Sequence, residues 1–247
     1  MRVTFLGTNG WYDSDTGNTL CILIESKRAF IVLDAGYGIW KLNRRVNDSK
    51  AIYLFLSHFH LDHIIGLHVL NKFNFAQGLT IIGQSGTKDF LNKIINSPFT
   101  MPMEQLQYRT EIYEIPEEQV ITPFRFTFLP LKHSAECLGY RFEMEDKVIS
   151  YCVDTGYCDN AVALARDADL LITECALQIG QSSEIWPHLN PQDAARIAYE
   201  GNAKMLALVH FDASVYTTLE ARKRTEEETR KLFDKTFAAT DDMEIEI

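Results

Sequence analysis

Ser57-His58-Phe59-His60-Leu61-Asp62-His63 follows directly on the apolar run Ala51–Leu56, and its reading decides the rest of the chain. Histidine occurs only 7 times in 247 residues. By composition alone, His-x-His-x-Asp-His would then arise in about 4 such chains in 10,000. Imidazole and carboxylate are the ligands of borderline divalent ions such as zinc. The preceding strand presents them rigidly: residues 58 and 60 project together while the chain stays extended, and 62 and 63 turn into a following helix. Four donors crowded this closely cannot all reach one tetrahedral ion. The motif therefore points to two adjacent metals.

Two metals need further ligands, and three polar residues stand in a repeated context. His133 follows the apolar run Phe124–Leu129, Asp154 follows Val148–Val153, and His210 follows Met205–Val209. Each lies just past the carboxyl end of a strand, where a scaffold can hold it. His68, flanked by Leu67 and Val69 on the helix after the motif, reads as structural.

Similar β-branched and aromatic runs at Val3–Leu6, Thr19–Ile24, Ala29–Leu33, Ile52–Leu56, Leu79–Ile82, Gly139–Glu143 and Leu170–Thr173 predict further strands. Helical spacing predicts Asp62–Lys72 and Thr87–Ile95, a helix capped by Asp159 and reaching Arg166, one starting at Asn190-Pro191 and ending near Gly201, and a charged one over Thr217–Phe233. Strands with interspersed helices but no strict alternation argue for an α/β fold of sheets packed on each other with helices outside. Residues 1–247 read as a single domain. Ser97–Glu118, with three prolines, is the least regular stretch and a candidate loop or cover.

Lys and Arg number 24 against 34 Asp and Glu, a net charge of −10. An anionic substrate must therefore be held by a local positive feature against the field of the whole molecule. The five cysteines are odd in number and sit in apolar surroundings, so buried free thiols are expected rather than a Cys152–Cys158 pair, and a reducing cytoplasm fits. No stretch is long and apolar enough to span a membrane.

Taken together, Leu6-Gly7-Thr8, Leu33-Asp34-Ala35-Gly36, the His58–His63 motif, Asp154-Thr155-Gly156 and Asp242-Met243-Glu244-Ile245 resemble the metallo-β-lactamase superfamily over nearly the whole chain. The resemblance implies a four-layer αβ/βα sandwich, two facing mixed sheets with helices outside and metals at one edge. It implies one zinc on His58, His60 and His133 and another on Asp62, His63 and His210, with Asp154 bridging. Manganese or iron would suit the same donors. Asp34 resembles a family residue standing behind the ligands, although a plain strand-end turn would read the same way. The resemblance also allows a homodimer.

Two cations bridged by Asp154 suit metal-assisted hydrolysis through a metal-bridging hydroxide, and Asp62 counts with the catalytic residues. His188, in Trp186-Pro187-His188-Leu189-Asn190-Pro191, is unused by the metals and suits a general acid. Glu174, ending the strand Leu170–Thr173, suits orienting it. This order resembles the phosphodiesterase branch that includes ribonuclease Z, with two departures. Leu189 stands where that pattern has a hydroxyl residue, and the long arm that grips transfer RNA is missing. Ser97–Glu118 is short and carries five glutamates. A small or cyclic phosphodiester is therefore the favoured substrate. Transfer RNA precursors and carboxylic substrates (lactone, thioester or β-lactam) are the alternatives.

Overall fold

The apolar runs build two sheets that face each other. The computed structural model describes residues 1–247. Its first sheet has seven strands, in the order Glu244–Glu246, Arg2–Gly7, Cys21–Glu25, Ala29–Leu33, Ala51–Phe55, Leu79–Gln84 and Thr110–Ile115. The second has six, in the order Thr236–Ala238, Leu206–Val209, Leu170–Glu174, Lys147–Cys152, Leu138–Met144 and Arg125–Pro130. Both are mixed. The four strands from Ala29–Leu33 to Thr110–Ile115 run parallel, as do those from Lys147–Cys152 to Thr236–Ala238. Parallel neighbours need crossovers, and helices at Leu61–Ile64, Thr87–Ile94, Asp159–Ala165, Pro191–Glu200 and Leu219–Arg230 lie in them.

Side-chain alternation sorts each strand into two cores. Ile31 and Leu33 join Phe55, Tyr140, Ile172 and Val209 in the layer between the sheets. Phe30 and Val32, on the opposite face of the same strand, pack with Ile39, Leu42, Leu67 and Leu91. Leu171 and Leu208 do the same for the second sheet, against Leu164, Ala194 and Ile197. Strands buried on both faces read as unbroken apolar runs, which is why they were legible. The result is the four-layer αβ/βα sandwich that the resemblance implied.

The topology gathers the strand ends. Arg125–Pro130 is antiparallel to Leu138–Met144, which is antiparallel to Lys147–Cys152, so the first and third point the same way. His133, Asp154, Glu174 and His210 therefore leave the second sheet at one edge, the carboxyl edge where α/β sheets place their ligands.

Several sequence expectations need correction. Ser97–Glu118 is not simply a cover: it holds a 3-10 turn at Met103–Gln105 and the edge strand Thr110–Ile115. An edge strand tolerates Glu111 and Glu114, and those charges masked it. The helix expected over Asp62–Lys72 is a single α-turn, Leu61–Ile64, followed by 3-10 structure over Ile65–Lys72. There the backbone runs tight against Ala35 and Gly36, with a Cβ on Gly66 falling 2.3 Å from Gly36 O. Cys158, not Asp159, is the N-cap of its helix, and Thr218 caps the last one, which covers only Leu219–Arg230. The 3-10 segment Tyr37–Arg44 and the short strands Asn9–Gly10, Phe211–Asp212, Thr236–Ala238 and Glu244–Glu246 were not foreseen. All five cysteines are free, and no helix is long and apolar enough to cross a membrane.

Candidate metal centre

The structure brings two groups of side chains together at the carboxyl edge. His58, His60, His133 and Asp154 form one, Asp62, His63 and His210 the other, and His188 also comes within ligand distance of Asp154 and His210. In the first, His60 Nδ1 lies 3.2 Å from His133 Nε2, and Asp154 Oδ2 lies 3.9 Å from His58 Nε2 and 3.8 Å from His133 Nε2. In the second, His210 Nε2 lies 3.1 Å from His63 Nε2 and 3.2 Å from Asp62 Oδ2. The other oxygen of Asp154, Oδ1, lies 3.2 Å from His210 Nε2 and 3.5 Å from His63 Nε2. Asp154 thus turns one oxygen to each group.

The opposite sides of these rings decide what the inward nitrogens can do. His63 Nδ1 is 2.8 Å from Asp34 Oδ2, so it carries a proton there and turns Nε2 toward His210 Nε2, 3.1 Å away. His58 Nδ1 pairs with Ser57 Oγ at 2.9 Å, which leaves Nε2 buried without a partner, as is Asp154 Oδ1. Burial and the neighbouring imidazoles push the His58 pKa well down, and burial takes His133 to about 4, so both present the neutral, ligating form. Burial also opposes charge on His63, yet Asp154, Asp62 and Asp34 raise its pKa well above the ordinary value. The cluster calls for positive charge where its nitrogens converge. A tetrahedral ion with ligands at about 2.0–2.1 Å holds them about 3.3 Å apart. The observed spacings bracket that edge, so the residues fit divalent cations.

Asp34 is fully buried and accepts from Ser57 N and Oγ at 2.7 Å each and from Tyr151 Oη at 2.6 Å, besides His63. It locks His63 directly and His58 through Ser57. Asp34 and His210 both adopt left-handed φ, of 54° and 52°, and Trp11 does so at 72°. Such strain collects where packing and hydrogen bonds over-determine the backbone.

His188 sits beside the centre. Its Nδ1 is 2.9 Å from both oxygens of Glu174, which is wholly buried and also accepts from Thr155 N at 2.6 Å. With Nδ1 engaged, Nε2 is the free ring nitrogen, and the ring lies 5.2 Å from that of His133 and 5.9 Å from that of His210. Burial lowers the His188 pKa, but the Glu174 charge and hydrogen bond, with Asp154 and Asp62 behind, lift it to about 10. His68 lies apart: its Nδ1 is 2.6 Å from Ile65 O and its ring stacks on Tyr37.

Sequence reasoning missed four contributors. Tyr151 lay hidden inside an apolar strand. The Trp11 amide donates to Asp62 Oδ2 at 2.7 Å, a contact no residue type could announce. Gly10 packs on His210, where a Cβ would fall 2.6 Å from the ring. Trp186, half exposed, places its ring 5.9 Å from that of His60, a position its neighbour Pro187 could only hint at.

The family model described as "Beta-lactamase superfamily domain" matches residues 30–211. The chain belongs to the beta-lactamase superfamily. Among curated superfamily relatives, the probable metallo-hydrolase YhfI of Bacillus subtilis is 30% identical over 85% of this chain and 87% of its own length. Ribonuclease Z of Bacillus cereus is 27% identical over 98% of this chain and 97% of its own. That alignment runs over 305 positions, more than this chain has, so that relative carries insertions. Among solved structures, YhfI superposes with a TM-score of 0.80 at 25% identity, covering 99% of this chain and 98% of that one. The short form of human tRNase Z gives 0.77 at 23% identity, covering 100% and 99%, a likeness of fold. As a superfamily member the chain is a metal-dependent hydrolase, and the family implies divalent ions at its His and Asp cluster.

Proposed function

We propose that this chain is a dinuclear phosphodiesterase, with zinc the best match to its donors, acting on a small or cyclic phosphodiester. In this reading His58, His60 and His133 hold one ion, Asp62, His63 and His210 hold the other, and Asp154 bridges them. When bound, such a pair ionises a water near neutral pH and neutralises charge on the substrate phosphoryl group.

The chain's own residues do the rest. Asp34 fixes the tautomers that keep the His58 and His63 lone pairs inward. Glu174 holds the imidazolium of His188 by Nδ1, so that Nε2–H faces the cleft. As the phosphorus–oxygen bond to the departing alcohol breaks, His188 donates that proton to the leaving oxygen and is left neutral beside Glu174. A carboxylate bonded to the far side of the imidazole favours the charged, proton-donating form.

The observation carrying the proposal is the His188–Glu174 pair set against the histidine–aspartate cluster. Among carboxylic substrates, a thioester would use the same metals without a separate acid, because its thiolate leaves unprotonated. The similarity to ribonuclease Z favours a second reading, 3′ processing of transfer RNA precursors, which the same pair would also serve.

Zinc-loaded protein should be screened against cyclic nucleotides, bis-aryl phosphodiesters, lactones and transfer RNA precursors. Turnover of the phosphodiesters supports the proposal, turnover of the precursors alone moves it to the second reading, and turnover of lactones alone ends it.

A further inference from the structure

The last helix, Leu219-Glu220-Ala221-Arg222-Lys223-Arg224, is charged along its length, yet Arg222 is only 1% exposed. Its guanidinium sits over the Phe211 ring at 4.7 Å. Nη1 donates to Thr8 Oγ1 and Nη2 to Thr16 Oγ1, each at 2.9 Å, and Nη2 also donates to Asn9 Oδ1. Thr8 passes the contact on, donating to Asp241 Oδ1 at 2.9 Å, and Asp241 Oδ2 accepts from Lys41 Nζ and from the Asn18 amide. One buried cation therefore ties together both strands of the small parallel ribbon Asn9–Gly10 and Phe211–Asp212.

That ribbon ends at the metal centre on both sides. Gly10 rests on the His210 ring, the Trp11 amide holds Asp62 Oδ2, and His210 immediately precedes Phe211. We propose that Arg222 is a positioning residue for Asp62 and His210, and so sets one of the two metal sites. It acts through the Thr8–Thr16 segment without touching either ligand. A fork of planar donors is suited to this, because three acceptors on one segment are fixed at once. The proposal rests on the metal-centre reading above.

Arg222→Lys keeps the charge and loses the fork, and Arg222→Met keeps the length and loses both. In metal-free protein, amide exchange over residues 8–17 should speed at least tenfold in either variant, with the strand Lys147–Cys152 unchanged. In a cobalt titration followed by visible absorption, one of the two equivalents should weaken roughly 10- to 100-fold while the other keeps its affinity, the usual effect of losing a support behind a ligand. Wild-type exchange over 8–17 in Arg222→Lys overturns the proposal, as does weakening of both equivalents alike. If the native protein takes up no cobalt, the metal reading fails, while the exchange result still decides whether Arg222 holds the segment.

Discussion

Removing His188 separates an acid from a ligand or a structural side chain. Glu174 is wholly buried, and its oxygens have two partners: the His188 ring nitrogen and the Thr155 amide. His188→Ala therefore strips the proton donor and also leaves a buried carboxylate with one donor. The second effect costs about 1–3 kcal/mol of stability or more. The double variant His188→Ala/Glu174→Gln removes the stranded charge and restores part of that stability without restoring an acid. Positioned acids contribute about 100- to 10,000-fold, or about 2.7–5.5 kcal/mol of barrier.

On a cyclic nucleotide, whose leaving group is an alkoxide, kcat/KM should fall by about a hundredfold or more in both variants. On bis(4-nitrophenyl) phosphate, whose leaving group needs no proton, the loss should stay below about tenfold. The pH dependence adds a sign. The His188 pKa is raised, so the donor is present at low pH and lost as pH rises through that value, which bound cations would bring below the metal-free value of about 10. Native enzyme should show an alkaline limb with the cyclic nucleotide that both variants lack. Equal losses on the two substrates, with identical pH profiles, would refute the acid role.

Asp34→Asn puts an amide where four donors converge, and zinc affinity measured against a competing chelator should fall roughly 10- to 100-fold. Phe55→Ala empties the junction of Phe124, Phe126, Tyr140 and Phe142, all within 6.2 Å of its ring, and urea unfolding should show a loss of about 3–5 kcal/mol. Burial raises the Asp169 pKa, but its bonds from Lys204 and the Val148 amide at 2.9 Å each bring it below the usual value. Its stabilisation is therefore complete above the unfolded pKa near about 3.9 and lost as pH falls through the folded one, so the stability gap between native and Asp169→Asn should close below about pH 4. Because the net charge of −10 repels an anionic substrate, kcat/KM for a cyclic nucleotide should rise with added salt, as screening shortens to about 8 Å at physiological strength. A fall on adding salt would show that the cleft, not the whole surface, governs encounter.

How much of this was readable depended on how each signal is written. His58–His63 stood out because its residues are rare together, and Asn190-Pro191 because Asn190 does accept the Asp193 amide. Strands such as Ala29–Leu33 were legible because both faces are buried. Thr110–Ile115 was not, since an edge strand needs only one clean face. The two-residue ribbon Asn9–Gly10 and Phe211–Asp212 has no period at all. Arg222 is the sharpest case. Hydropathy treats it like Lys223 and Arg224 beside it, so the helix read only as charged and amphipathic, while the structure buries that one charge among Thr8, Asn9 and Thr16. Buried polar contacts between distant segments leave no trace in local composition.

The acidity of the chain and its fitness for an anionic substrate are compatible because of where the carboxylates lie. Asp34, Asp154 and Glu174 are all buried at the strand ends, and each is turned toward an imidazole rather than toward solvent. A buried carboxylate is costly alone, and here its cost is offset by holding a histidine in one tautomer or by meeting a cation. On the proposed reading, divalent ions held at this cluster and an imidazolium on Glu174 would make the site locally positive within a chain of net charge −10. The proposed preference for a short anion rests on that contrast: one phosphodiester would fit within the local field, whereas each further phosphate of a long chain would meet the net negative charge of the chain.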